Sequence, residues 1–458
     1  MERPAEFDRR MRLLLGDDYA AFAAAWDEPL RPGLRANPLK LSSARLRALL
    51  GDALSPAPFA ADGFYLNAPR RAGVDPLHHA GAYYRQEPSA MAAVTALSPR
   101  PGERVLDTCA APGGKSTQIA AALAGEGLLW ANEFVRGRVA PLRENLVRCG
   151  VRNAVVTSLA VDALADALPG AFDAVLCDAP CSGEGMFRKE PEALAGWSMD
   201  NVTLCAARQK EILDAAARTV RPGGRLLYST CTFAPEENEG VAAWFLSTHP
   251  DFRPGDLSAL PFGRPAFADA ALAPFALTGG FPPAAGRRIL PGDGGEGHFL
   301  ALFYRDGDAP AAVSPYIPPR NPHADAARAL YEELFKAPPA GTLVTFGDTV
   351  RLLPPMLPRT SLPLIAAGVA VATVCKNRLE PAHGVFAAAT AADCRRLIAL
   401  APDDPALTAF LRGEPIACDP ALAGWTAVAA DDAVVGFGKA VNGTLKNRYP
   451  KGLRLLNG

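Results

Sequence analysis

The chain is 458 residues long, which allows about three domains and a sizeable core. With 49% hydrophobic and 21% charged residues it has the balance of a globular protein, which excludes disordered and fibrous classes. A net charge of −1 gives no global sign of a polyanion partner, and nine scattered cysteines without a CxxC pair argue against a disulfide framework.

Residues 1–8 carry no apolar run of signal-peptide type, and the longest apolar stretch, 364–375, is too short to span a bilayer. The expected setting is the cytoplasm, with reduced thiols, no membrane partner and a monomeric chain. A helix is predicted over 7–26, a strand over 33–40 and a helix over 42–50, with Pro and Gly marking turns as far as residue 100. From about 102 to 305 strands and helices alternate. Strands are predicted at 104–107, 128–132, 154–158, 172–177, 225–229 and 299–305, and helices at 115–123, 136–149, 206–220 and 236–247. The expected fold class is therefore α/β, with a Rossmann-like doubly wound sheet over 101–308 behind an N-terminal α+β region, 1–100. Ligands of such sheets bind beyond the carboxyl ends of the strands. A Pro-rich linker is expected over 309–324 (Pro310, Pro315, Pro318, Pro319, Pro322), and 325–458 reads as a small α+β domain. Its end carries five basic residues and no acid (Lys439, Lys446, Arg448, Lys451, Arg454), which fits a solvated tail as well as a phosphate-binding strip.

The first core strand runs into Cys109-Ala110-Ala111-Pro112-Gly113-Gly114-Lys115. The Gly-Gly-Lys-Ser end invites a P-loop reading, but Cys109 stands where the first Gly is required, and Pro112 stiffens the segment that would wrap phosphates. A strand-to-helix turn receiving the amino-acid end of S-adenosylmethionine accounts for these residues better. Glycine allows close backbone approach, and a helix N-terminus favours a carboxylate. Glu133, closing the second strand, suits the ribose hydroxyls, and Asp162, past the third, is expected to meet the adenine amino group. Taken singly, either acid also reads as a solvated strand end.

Asp178-Ala179-Pro180-Cys181-Ser182-Gly183 and Tyr228-Ser229-Thr230-Cys231-Thr232 lie at the ends of two further strands. Cys109, Cys149, Cys177 and Cys205 have apolar neighbours and read as core; no metal-ligand spacing is present, so no metal is expected. Two thiols beyond a methyl-donor turn point to covalent catalysis on cytosine. A thiolate adding to C6 makes C5 nucleophilic enough to accept a methyl group; a base then removes the C5 proton and the thiolate leaves. Asp178 is placed to hold the N3 and amino edge of the ring, which must leave its stack to reach such a pocket. The chemistry asks one cysteine to attack and the other to assist, without ordering them. Residues 183–197, with Arg188 and Lys189, are expected to cover the substrate and meet phosphate.

The runs 107–117, 178–189 and 229–239 resemble motifs I, IV and VI of the Nol/Nop/Sun family of RNA cytosine-C5 methyltransferases. The resemblance implies a methyltransferase core with S-adenosylmethionine as donor and an RNA cytosine as acceptor. It makes Cys231 the nucleophile and Cys181 the residue that assists release, with the segment 109–115, Glu133, Asp162 and Asp178 as the cofactor site. Residues 33–40 and 84–91 are similar to the family's N-terminal RNA-binding region. The run 445–454 is similar to the end of RsmF-type members, which carry a PUA-like RNA-binding domain. Ribosomal RNA of the small subunit (16S) is the implied partner. The alternatives are a transfer RNA methyltransferase and a non-catalytic RNA-binding factor on the same fold.

Overall fold

The computed structural model describes residues 3–277, 280–309, 313–376 and 378–455. Pro310 of the expected linker and the outermost residues of both terminal regions lie outside these. The core strands are β1 (Arg104–Asp107), β2 (Leu128–Asn132), β3 (Ala154–Thr157), β4 (Phe172–Asp178), β5 (Val220–Thr230), β6 (Gly286–Ile289) and β7 (His298–Arg305). Nearly every residue of β1 to β4 is buried, as a sheet covered on both faces requires. Their order is β3-β2-β1-β4-β5-β7-β6, parallel from β3 to β5, with β7 antiparallel between β5 and β6. The direction of winding reverses between β1 and β4, which places the ligand crevice of the fold beyond their carboxyl ends. Covering helices include α1 (Gly114–Ala122), α2 (Arg136–Arg148), α3 (Val161–Ala167), α4 (Met199–Thr219) and α5 (Glu239–Thr248).

The helix expected over 7–26 breaks at Gly16, whose φ of 52° suits glycine, into Ala5–Leu15 and Tyr19–Trp26. A four-stranded antiparallel sheet follows, built from Leu54–Pro56, Gly63–Leu66, Gly33–Ala36 and Tyr83–Arg85. The Pro-rich segment is tied down: Tyr316 donates to the Leu357 carbonyl at 2.9 Å and Arg359 to that of Ser314 at 2.8 Å. Beyond it stand two sheets, one of four strands and one of five. They share a core in which Val350 and Val371 meet Ala427 and Phe437. The short strand Ala366–Ala367 leaves this region and pairs with β3, extending the core sheet. Among the described residues no helix is long and apolar enough to cross a membrane.

Candidate active site

The turn after β1 is anchored to its neighbours, Thr108 donating to the Leu176 carbonyl at 3.0 Å and Ala110 to that of Asn132 at 2.8 Å. The Ala111–Pro112 peptide is cis. Gly113, at φ 112°, caps α1 without any side-chain hydrogen bond, and the first turn of α1 contains no acid. Its leading amides therefore face the crevice with the helix dipole behind them. Asp107, fully buried, accepts from Ser116 Oγ at 2.6 Å through Oδ2, while its Oδ1 has no partner among the described residues. Burial pushes its carboxyl up to about 7. Buried Glu133 accepts from the Ala111 amide at 3.2 Å and from the Val135 amide at 2.8 Å. Each of its oxygens keeps a further lone pair for an incoming hydroxyl. Phe134, beside it, is 69% exposed. The acid–aromatic pair at a strand end was its signal in the sequence.

Asp162 corrects the sequence reading. It falls in the first turn of α3, not in the crevice, and its side chain is 69% exposed and paired with Arg218 of α4 at 2.7 Å. Asp166 pairs with the same guanidinium at 2.7 Å. The three residues that do top β3, Ser158, Leu159 and Ala160, include no acid.

Asp178 ends β4. Lys115 Nζ lies 2.7 Å from its Oδ2, and Ser229 Oγ donates to its Oδ1 at 2.6 Å. Burial alone would raise the Asp178 carboxyl, but Lys115, helped by His298, holds it well below the usual carboxylate range. His298, buried at the head of β7, brings Nε2 to 3.8 Å from Asp178 Oδ1, and that nitrogen has no hydrogen-bond partner among the described residues. Neither Lys115 as an Asp178 partner nor His298 was reachable from local spacing, since each comes from an element far away in sequence.

The parallel strands β4 and β5 deliver Cys181 and Cys231 side by side, with 3.3 Å between the sulfurs. The Cys181 thiol is pushed well up by its hydrogen bond to Cys231 and by burial. The two loops are stitched together. Gly185 donates to the Cys231 carbonyl at 2.8 Å, Ser182 and Thr232 share a hydrogen bond at 2.8 Å, and Phe233 donates to Glu184 at 2.9 Å. The Glu236-Glu237-Asn238-Glu239 run completes the frame. Glu237 accepts from the Ser182 amide at 3.0 Å and from Gln209 at 2.8 Å; Asn238 bridges Thr230 and the Thr232 carbonyl on either side of Cys231. Glu239 forms a buried ion pair with Arg288 of β6. In the segment 183–197 Arg188 pairs with Glu296 at 3.1 Å.

In the N-terminal segments similar to an RNA-binding region, Arg35 and Lys40 are buried. Arg35 donates to the Gly114 carbonyl at 3.1 Å and to Thr117 at 2.8 Å; Lys40 Nζ bonds the Val434 carbonyl at 2.8 Å. Both join parts of the molecule to one another, leaving neither cation facing solvent.

Three family descriptions match the chain: 16S rRNA methyltransferase RsmB/F over residues 94–304, the N-terminal domain of 16S rRNA methyltransferase RsmF over 4–88, and the methyltransferase RsmF PUA domain over 398–455. A crystal structure of a methyltransferase homolog protein from Pyrococcus horikoshii is 31% identical, covering 66% of this chain and 94% of that one, with a TM-score of 0.57. The chain belongs to the RsmB/F family of 16S rRNA methyltransferases. Among curated RsmB/F relatives, "Ribosomal RNA small subunit methyltransferase F" of Escherichia fergusonii is 45% identical over 242 residues, 50% of each chain. Its counterpart from Enterobacter sp. is 43% identical over 54% of each. The chain thus spans about half the length of the curated relatives it matches. NSun6 from Pyrococcus horikoshii, solved with SFG, shares the fold at 20% identity and a TM-score of 0.56, over 67% of this chain and 99% of that one.

The RsmB/F core is that of an S-adenosylmethionine-dependent methyltransferase, and the residues present fit the donor. A buried acceptor without a donor, Asp107 Oδ1, stands beside the uncapped start of α1. Together they match an ammonium and a carboxylate on one ligand. The RsmF PUA match corresponds to the five-stranded sheet, so the region expected to be one PUA-like domain from 325 contains a second, four-stranded sheet ahead of it.

Proposed function

We propose that this protein transfers a methyl group to C5 of a cytosine in 16S ribosomal RNA, with Cys231 as the nucleophile and Cys181 assisting release of the product. The observation that carries the reading is the pair of thiols 3.3 Å apart, one hydrogen-bonded to the other, beside an ionised Asp178. S-adenosylmethionine would supply the methyl group, and the turn 109–115 and Glu133 would hold it. Asp162 has no part in this.

Cys231 adds to C6 as the thiolate, and the C5–C6 electron pair becomes available at C5, which attacks the methyl group. Asp178, kept charged by Lys115, accepts from the amino group and holds the ring in place for both steps. After methyl transfer a base takes the C5 proton, the C–H electrons restore the C5–C6 double bond, and Cys231 leaves as the thiolate, with the Cys181 thiol at hydrogen-bond distance from the departing sulfur.

The ordering is tested with Cys181→Ala and Cys231→Ala. The first should accumulate a covalent protein–RNA adduct on denaturing gels, and the second should form none; the reverse pattern overturns the assignment. The RNA class is tested with labelled S-adenosylmethionine and separated RNA pools, where label in transfer RNA alone would exclude the ribosomal substrate.

A further inference from the structure

A cavity of about 580 Å3 lies away from the thiols, where three parts of the chain meet. Its walls are the short helix Pro76–His79, the outer face of α2, and the C-terminal region around His383, Tyr449 and Arg454. A second hollow of about 210 Å3 shares Arg143, Val147 and His383 with the first and adds Arg351, making one crevice.

Its charge is one-sided. Arg143, Arg148, Arg351 and Arg454 line the crevice, and Glu144 is the only carboxylate among its lining residues. The guanidiniums bond to uncharged groups. Arg148 donates to the His78 and Tyr83 carbonyls and to Asn145, Arg351 to the Ala367 and Gly368 carbonyls, and Arg454 to the Tyr449 carbonyl. Burial and then the like charge of Arg143 both lower the pKa of Arg351, so these cations repel one another across the crevice. His78 and His383 are held neutral by burial, at about 3 and 4, and contribute no charge at pH 7. His383 Nδ1 is buried there with no partner among the described residues.

Three anchored guanidiniums and that of Arg143 against one acid are relieved by a ligand carrying several negative charges, and guanidinium forks match phosphate oxygens. The volume takes a nucleotide rather than a lone ion. The helix α2 that forms one wall also borders the methyl-donor turn, Arg138 donating to the Ala111 carbonyl at 2.8 Å and Asn145 to that of Pro112 at 2.9 Å. A strand seated in the crevice is thus held against the same helix as the catalytic turn. We propose that the crevice seats the sugar–phosphate backbone of the RNA substrate, at nucleotides outside the one that is methylated. This rests on the RNA reading above.

Arg143 is exposed, so its charge can be reversed without disturbing the core. The test compares wild type with Arg143→Glu and Arg454→Glu in the full chain, measuring Kd for a single-stranded oligoribonucleotide across a salt series together with methyl transfer. Each reversal should raise Kd about tenfold and lower the slope of log Kd against log salt by about one. S-adenosylmethionine affinity, and the rate at saturating RNA, should hold. An unchanged Kd and slope in the variants of a wild type that methylates RNA would overturn the crevice while leaving the catalytic reading intact. A wild type that binds RNA but transfers no methyl group would fail the catalytic reading instead. Competition by inorganic phosphate with no effect of either reversal on RNA would mark a small-anion site and equally overturn the proposal.

Discussion

Cys181 and Cys231 occupy matching positions in sequence, each just past a strand end, and differ in what surrounds them. Hydrogen bonding and burial push the Cys181 thiol well up, towards its protonated form, with the Cys231 sulfur 3.3 Å away. Lys115 plays the corresponding part for Asp178. Replacing it as Lys115→Met removes the cation that lowers the Asp178 pKa, so the carboxyl titrates at higher pH. The acid limb of the rate profile should then move upward, and the rate at neutral pH should fall by about two to three orders of magnitude. An unmoved limb would show that Lys115 does not set the charge of Asp178. Spacing made the cysteines, Asp178 and Glu133 legible, because each lies at a strand end or within three residues of one. Asp162 misled because a distance past a strand does not say which way a helix turns its first carboxylate, and Arg218 had its claim on it.

At the scale of elements, the two N-terminal helices brace the thiol loops. Phe7 meets Phe187 of the first loop at 5.3 Å between ring centroids, and Phe22 meets Phe233, two residues past Cys231, at 5.6 Å in an edge-on pair. All four rings are buried. Phe22→Ala should cost about 3–5 kcal/mol in stability, read by chemical denaturation, and loosen the Cys231 loop enough to lower kcat. S-adenosylmethionine affinity should be unaffected, since the donor turn lies on other strands; a parallel loss of affinity would contradict the brace. The parallel strands were legible as apolar runs. The strand Gly286–Ile289 was not, because two of its four residues are arginines. Arg288 is buried only by virtue of its pair with Glu239 and its placement over Phe267 and Phe299. Pattern reading assigns such residues to the surface, and only the partner explains the burial.

At the scale of the molecule, the terminal regions are not separate bodies. Leu34, Phe64 and Tyr83 of the N-terminal sheet share one core with Leu407, Phe410, Val428 and Tyr449. Arg45 and Asp431 pair across the same junction at 2.6 Å. Sequence gave two terminal domains flanking a core, because the apolar residues that join them look like ordinary internal packing of each. Phe410→Ala should therefore weaken both ends at once. Hydrogen exchange should rise at Leu34 and Ala36 as well as within the C-terminal sheet, and protection lost from the C-terminal side alone would refute the shared core.

That shared core sets a timetable for the newly made chain. The sheet that includes Leu34 and Phe64 leaves the ribosome early, yet the residues that cover it, up to Tyr449, follow only after tens of seconds at about 5–20 residues per second. For that interval a sticky apolar face stands open in the cell. Slow translation should therefore cost it more than it costs a protein whose domains close in order.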